Sequence, residues 1–230
     1  MTDLNSELFE LSMSEKAKPL LERVIKHLEE NVAPWRDEFE ALNEEKEDRW
    51  TWHPRQLELM EAAKAKAKEA GLWNFFLPDA DTGEGLRNLD YAYIAAELGK
   101  HPYGSETMNC NAPDTGNMEV LERVGTPAQK EQWLKPLLAG EIRSAYAMTE
   151  PGVASSDAKN ISTTAVLDGD EWVINGEKFY ISGAGNPRCK IMIVMVKTSP
   201  DAPASKQQSQ ILVPMDTPGV KILGAMEVMG

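Results

Sequence analysis

Apolar positions recur at helical spacing through the first two-thirds of the chain, then give way to short β-rich runs. Leu20, Leu21, Val24, Ile25 and Leu28 form one stripe, with Ser14 placed to cap it, and Pro34 interrupts the pattern. A second helix is expected after Pro54, with Leu57, Met60, Ala63, Ala67 and Ala70 on one face and Gly71 as a left-handed stop. Leu72 to Pro78 is a short aromatic segment. Asn88 offers an N-cap before LDYAYIAAELGK, which Gly99 closes, and a fourth helix is expected from about Thr115 to Val124. Thr126, Pro127 and Gln129 give the clearest start signal: a capping threonine, proline at the first position and glutamine able to reach back. That helix should bury Trp133, Leu134, Leu137 and Leu138 and end at Gly140.

The pattern changes near Ile142. Ser162–Leu167, Glu171–Asn175 and Glu177–Ser182 read as a meander turned by Asp168-Gly169 and Asn175-Gly176, dipeptides that favour hairpins. Trp172 falls on its central strand and reads as core. Lys190–Val196 and Gln210–Pro214 read as further strands, joined by a Pro, Ala, Ser and Gln-rich surface loop over 198–208. The expected class is α+β: an N-terminal all-α domain over 1–142, then an antiparallel β-barrel or sandwich middle domain over 143–230.

A net charge of −13 argues against nucleic acid or an anionic membrane as the main partner, while leaving room for an anionic small molecule in a local donor-rich pocket. The two cysteines, Cys110 and Cys189, have no metal spacing and read as reduced thiols. The N-terminus MTDLNSELFE lacks a basic region and an apolar core, so no secretory signal is expected, and the apolar run Ile191–Val196 is too short to span a bilayer. A cytoplasmic location without membrane attachment follows as the expectation.

Several chemistries lack their motifs. There is no GxGxxG after a strand, no GxxxxGK[ST], no HExxH, no CxxC and no GxSxG, and His27, His53 and His101 are scattered, so no metal site is expected. What remains is the run from Tyr146 to Asp157, YAMTEPGVASSD. It reads as a strand that breaks at Pro151 into a loop of small residues exposing N–H and hydroxyl donors around one concavity. An ordinary strand-to-loop corner would have the same composition.

This run closely resembles the middle-domain signature of the acyl-CoA dehydrogenases, and GDEWVINGEKFYISG resembles the second signature of that family. The similarity extends upstream through TPAQKEQWLKPLLAGEIRSAYAMTEP and APDTGNMEV, covering most of the chain from about Asp90 onward. VASSD and APDTGN look most like the subgroup that includes eukaryotic members fused to a kinase-like domain.

The resemblance implies an FAD-dependent oxidation of an acyl-CoA thioester to 2-enoyl-CoA, with electron-transfer flavoprotein as the expected acceptor. It implies that Tyr146, Ala147, Met148 and Thr149 line the flavin, with amides near Met148 and Thr149 and the Thr149 hydroxyl at the polar ring edge. Ser155 or Ser156 would meet the FAD pyrophosphate or the phosphate arm of the CoA substrate; Ser155 is assigned to the cofactor and Ser156 to the substrate. Tyr180, Ile181 and Ser182 match the family's Trp-Ile-Ser/Thr, with the smaller aromatic ring of Tyr180 still able to stack. A Tyr180 packed in the β core is the alternative. Glu150 is read as serving the hydrogen bonding of its own loop. The Asp114–Asn117 turn either approaches the acyl pocket or starts a helix.

No residue matches the family's general base. The resemblance places that base in a C-terminal helical domain beyond Gly230, so the expectation is a module inactive alone that associates with itself or with a complementing helical domain. The alternative is a non-catalytic acyl-CoA-binding or scaffolding module, and a flavin-dependent monooxygenase or acyl-CoA oxidase of the same fold is a further enzyme reading.

Overall fold

The computed structural model describes residues 11–46, 48–79 and 81–227. The acidic N-terminal decapeptide and Gly230, which entered the sequence reading, lie outside them. The chain divides into two compact units, one of Met1–Glu47 with Trp52–Thr115 and one of Asp48–Thr51 with Gly116–Gly230.

The first unit is helical: α1 (Lys18–Asn31), α2 (Arg36–Ala41), α3 (Pro54–Glu69), α4 (Asn88–Leu98) and the short α5 (Gly104–Thr107). Leu20, Val24 and Leu28 of α1 bury as the stripe predicts. Ser14 does not cap α1; its N–H and hydroxyl donate to the buried Asp90 carboxylate at 2.7 and 2.9 Å. The correction has a physical reason, since an acceptor inside the fold outcompetes the weak local cap. Asn88 likewise falls inside α4 rather than capping it, and Arg87, the residue before it, grips Asp90 at 3.0 Å from Nε and again from Nη2.

Met60, Ala63 and Ala67 of α3 are buried, but so are Gln56 and Lys64. Gln56 completes a capping box with His53, whose Nδ1 accepts from Arg55 N–H at 3.1 Å, and its amide also donates to Phe39 O at 2.7 Å. Gly71 takes the positive φ of +64° that its place after the helix requires. Phe39 anchors an aromatic cluster with Trp35, Trp52 and Tyr103, its ring centroid 4.2 Å from that of Tyr103.

The sequence continues through α6 (Asp114–Val124) into a helix α7 built from Pro127–Gln129, Lys130–Leu134 and Lys135–Ala139, the middle part a π-turn. The predicted capping box is present: Gln129 N–H donates to Thr126 Oγ1 and Thr126 N–H to Gln129 Oε1. Gly140 ends the helix at φ +74°. Leu134 and Leu137 are buried, while Trp133 and Leu138 are only half-buried.

The sheet of the second unit is mixed and open, correcting the antiparallel barrel. Its strands are β1 (Arg143–Ala147), β2 (Thr164–Asp168), β3 (Glu171–Asn175), β4 (Cys189–Lys197) and β5 (Gln208–Pro214), in the order β1-β4-β2-β3 with β5 also on β4. β1 runs parallel to β4, with Ser144 opposite Ile191 and Ala147 opposite Val194. The excursion between them, including the β2–β3 hairpin, is long enough for the crossover that a parallel pair needs. β5 pairs antiparallel with β4, and Ala147, Ala165, Val194, Val196 and Val213 make the core.

Asp168-Gly169 turns β2 into β3, with Gly169 at φ +60°. Trp172 is not core: it is 46% exposed, because β3 is an edge strand paired only with β2. Glu177–Ser182 is not a strand, so Asn175-Gly176 turns no hairpin. Side-chain anchoring and a left-handed residue at Tyr180 take this segment off the sheet.

Candidate functional site

The site lies where the end of β1 meets the irregular segment 176–185, within the second unit. β1 delivers Tyr146 and Ala147 and ends as the chain leaves the ladder at Met148. Ala147 is buried in the sheet core opposite Val194 of β4, so its side chain is not presented to a ligand. Tyr146 is half-buried; burial pushes its phenol pKa up, opposed by the Gln210 amide, which donates to its hydroxyl oxygen at 3.1 Å.

Thr149 binds the second segment twice. Phe179 N–H donates to Thr149 O at 2.9 Å, and the Thr149 hydroxyl donates to Phe179 O at 2.6 Å. Its hydroxyl proton is therefore committed to the protein. Among the described residues, the Thr149 N–H has no hydrogen-bond partner.

Glu150 turns inward, 2% exposed. Its carboxylate accepts from Ser162 N–H at 2.7 Å, from the Ser162 hydroxyl, from Thr163 N–H at 2.9 Å and from Lys178 Nζ at 2.8 Å. Burial alone would raise its pKa, but these donors reverse that and hold it well below the ordinary carboxylate range. Such a carboxylate is a structural acceptor with no capacity left for taking a proton near neutral pH.

Lys178 is the residue the sequence reading missed. Its ammonium donates to Met148 O at 2.9 Å, to Glu150 Oε1 and to Met195 O at 2.7 Å, so one buried cation joins the end of β1, the Glu150 loop and β4. Burial draws its pKa below the ordinary lysine value, against the raising effect of Glu150. It falls inside the GDEWVINGEKFYISG signature, but nothing local in that string tells that its side chain turns inward.

The two serines separate. Ser155 is buried, and its hydroxyl oxygen accepts from Glu150 N–H at 2.6 Å, which closes the loop on itself. Ser156 is exposed. Tyr180 is 53% exposed and sits at φ +54°, a conformation costly for a bulky residue, with its ring tilted against Phe179 at 4.8 Å. Ile181 packs against the sheet core, whereas Ser182 is exposed. Gly183 at φ +81° and Gly185 complete the turn; a Cβ on Gly185 would come within 2.2 Å of the Trp50 indole.

Further upstream, Asn117 Nδ2 donates to Ser144 Oγ at 2.8 Å, both side chains buried, which ties α6 to the start of β1. Asp114 is the first residue of α6 and is buried against Asn111, whose amide donates to it at 3.2 Å. No cluster of potential metal ligands occurs among the described residues, and no helix there is long and apolar enough to cross a membrane.

Two family models match the chain: the acyl-CoA dehydrogenase N-terminal domain over residues 14–141 and the acyl-CoA dehydrogenase middle domain over 145–230. "Probable acyl-CoA dehydrogenase FadE2" of Mycobacterium tuberculosis is 56% identical over 173 residues, covering 75% of this chain and 42% of that protein. "Acyl-CoA dehydrogenase family member 11" of Homo sapiens is 45% identical over 232 residues, covering 99% of this chain and 29% of that protein. Among solved structures, one assigned as an acyl-CoA dehydrogenase from Mycobacterium abscessus superposes with a TM-score of 0.81 at 45% identity, covering 90% of this chain and 52% of the other. The chain thus spans about half or less of the length of these relatives.

Proposed function

Because the chain belongs to the acyl-CoA dehydrogenase family, we propose that Tyr146–Thr149 and Tyr180–Ser182 form one wall of an FAD site serving α,β-dehydrogenation of an acyl-CoA thioester to 2-enoyl-CoA. The observation that carries this reading is the Thr149 N–H, unpaired among the described residues, a donor fixed in a half-buried wall beside an exposed, strained aromatic residue. Donors aimed at a ring edge where negative charge develops are what a flavin that accepts hydride requires. Left-handed backbone at Tyr180 is the kind of strain that persists at ligand sites.

The residues present fit the cofactor. Thr149 N–H would donate to the polar ring edge, the Tyr180 ring would pack on the flavin, and the Ser182 hydroxyl would lie toward the ring's reactive side. Ser155 serves its own loop, so Ser156 is the hydroxyl assigned to a phosphate oxygen of FAD or CoA. FAD bound here supplies the acceptor for the β-hydride. The base that removes the α-proton comes from outside this wall, because its one buried carboxylate, Glu150, is saturated with donors. The domain boundary is placed at 142/143, and the electrons leave to an electron-transfer flavoprotein.

The test is anaerobic titration of the FAD-loaded protein with acyl-CoA thioesters of graded length. Bleaching of the flavin band with formation of enoyl-CoA is the expected result. Thioester binding without any flavin uptake would replace this reading with a non-catalytic acyl-CoA-binding module.

A further inference from the structure

Lys178 keeps little of its side chain at the surface and spends its ammonium inside the fold, on the peptide group that matters most to the proposed flavin wall. Met148 C=O and Thr149 N–H belong to the same peptide unit. The ammonium donates to that carbonyl at 2.9 Å, and the amide at the other end is unpaired among the described residues. The Lys178 side chain is 11% exposed, so water does little to screen its pull on the carbonyl.

We propose that Lys178 is a positioning residue that polarises the Met148–Thr149 peptide and so strengthens Thr149 N–H as a donor to the reduced flavin, an inference that rests on the FAD reading above. Hydrogen bonds joined through one peptide polarise each other, and a charged donor at the carbonyl withdraws electron density from the amide nitrogen. The same ammonium fixes where the amide points, because its bond to Met195 O anchors the end of β1 to β4. Glu150 sets the opposing limit. It neutralises part of the charge on Lys178 and holds the ammonium over Met148 O.

The two charges therefore have separable effects. Removing Glu150 while keeping Lys178 leaves the ammonium on the carbonyl and takes away a nearby negative charge, which favours the reduced flavin. Removing both charges leaves Met148 O without its cationic donor, which disfavours it. A pair that only holds the fold together would alter stability without driving the flavin potential in opposite directions.

The experiment compares wild type, Glu150→Gln and the Glu150→Gln/Lys178→Met double variant, the last chosen because it buries no unpaired charge. The midpoint potential of bound FAD is measured by dye equilibration. In the flavin-free proteins, the backbone 15N shift of Thr149 is followed by NMR. The expected result is a potential raised in Glu150→Gln and lowered in the double variant by about tenfold in the two-electron equilibrium, about 30 mV. The Thr149 nitrogen should move upfield only in the double variant. Flavin bound at an unchanged potential, with Thr149 unmoved, overturns the role of Lys178 and leaves the FAD site standing. A wild-type protein that takes up no flavin overturns both.

Discussion

Lys178 and Glu150 form an ion pair at 2.8 Å with both side chains withdrawn from water, 11% and 2% exposed. Each partner is also bonded to backbone: the ammonium to two carbonyls, the carboxylate to two amides. A buried pair of this kind is not intrinsically more stabilising than an apolar one, but removing one partner strands the other. Glu150→Ala should therefore destabilise the β unit by about 3 kcal/mol or more. The Glu150→Gln/Lys178→Met pair should cost markedly less than the sum of its single variants. Urea unfolding of wild type, Glu150→Ala, Glu150→Gln, Lys178→Met and the double variant measures both the cost and the coupling.

The same carboxylate predicts an acid limit. Glu150 titrates well below its unfolded-state value of about 4.3, so its contribution to stability is fully present above that value and is lost as pH falls through the folded-state one. Asp90 behaves alike in the helical unit: the Arg87 guanidinium and, against burial, the Ser14 donors hold it well below the ordinary range. Asp90→Asn should thus cost about 1–3 kcal/mol at pH 7, where the ionised acceptor of Ser14 and Arg87 is lost. The deficit should shrink as pH falls below the unfolded-state value of about 3.9, because the unfolded wild-type chain then takes up a proton that the folded Asp90 still refuses. Unfolding curves for wild type and Asp90→Asn at pH 7 and pH 3 give the comparison; a constant difference would exclude this origin.

Local signals were legible in the sequence because they are local. Thr126 and Gln129 contain both halves of their capping box within four residues, and Gly71 and Gly140 mark helix ends by their need for positive φ. The parallel pairing of β1 with β4 was not legible, since nothing near Ser144 specifies that Ile191 will lie beside it. Glu177–Ser182 has the composition of a strand, but Lys178 is drawn to acceptors 17, 28 and 30 residues away, and that tertiary demand overrides propensity. Trp172 misled in another way: a large aromatic usually buries, but an edge hairpin leaves it no second layer. Of the site, the loop from Thr149 to Asp157 was visible as a family signature, and so was the inward role of Glu150. The cation that satisfies Glu150 stands within the second signature, but its pairing with a carboxylate 28 residues away became visible only in three dimensions.

Gly176 and Gly152 predict opposite outcomes for the same substitution. A Cβ on Gly176 would sit 2.2 Å from Thr163 Oγ1 and 2.7 Å from its Cγ2, against a side chain that is itself buried. A Cβ on Gly152 meets nothing within 4 Å, and its φ is not positive. Gly176→Ala should cost about 1–3 kcal/mol through overpacking, whereas Gly152→Ala should be neutral or stabilising by a few tenths through a less flexible unfolded chain. Thermal melts of the two variants decide this.

Tyr180 separates stability from ligand affinity. Its left-handed backbone costs roughly 1–2 kcal/mol in an L-residue, while a ring 53% exposed returns little by burial. Glycine removes the strain but adds about 0.5–1 kcal/mol of unfolded-state entropy. Tyr180→Gly should therefore leave the melting temperature unchanged or slightly raised. If the ring packs on a flavin, the same variant should bind FAD about tenfold more weakly, through loss of an aromatic contact worth about 0.5–1.5 kcal/mol beyond its area. Tyr180→Trp should restore or exceed wild-type affinity with a larger π-face. Flavin fluorescence titrations on the two variants, beside their melts, test the split. A Tyr180→Gly protein that melts several degrees lower and binds FAD normally would show that the ring serves the fold instead.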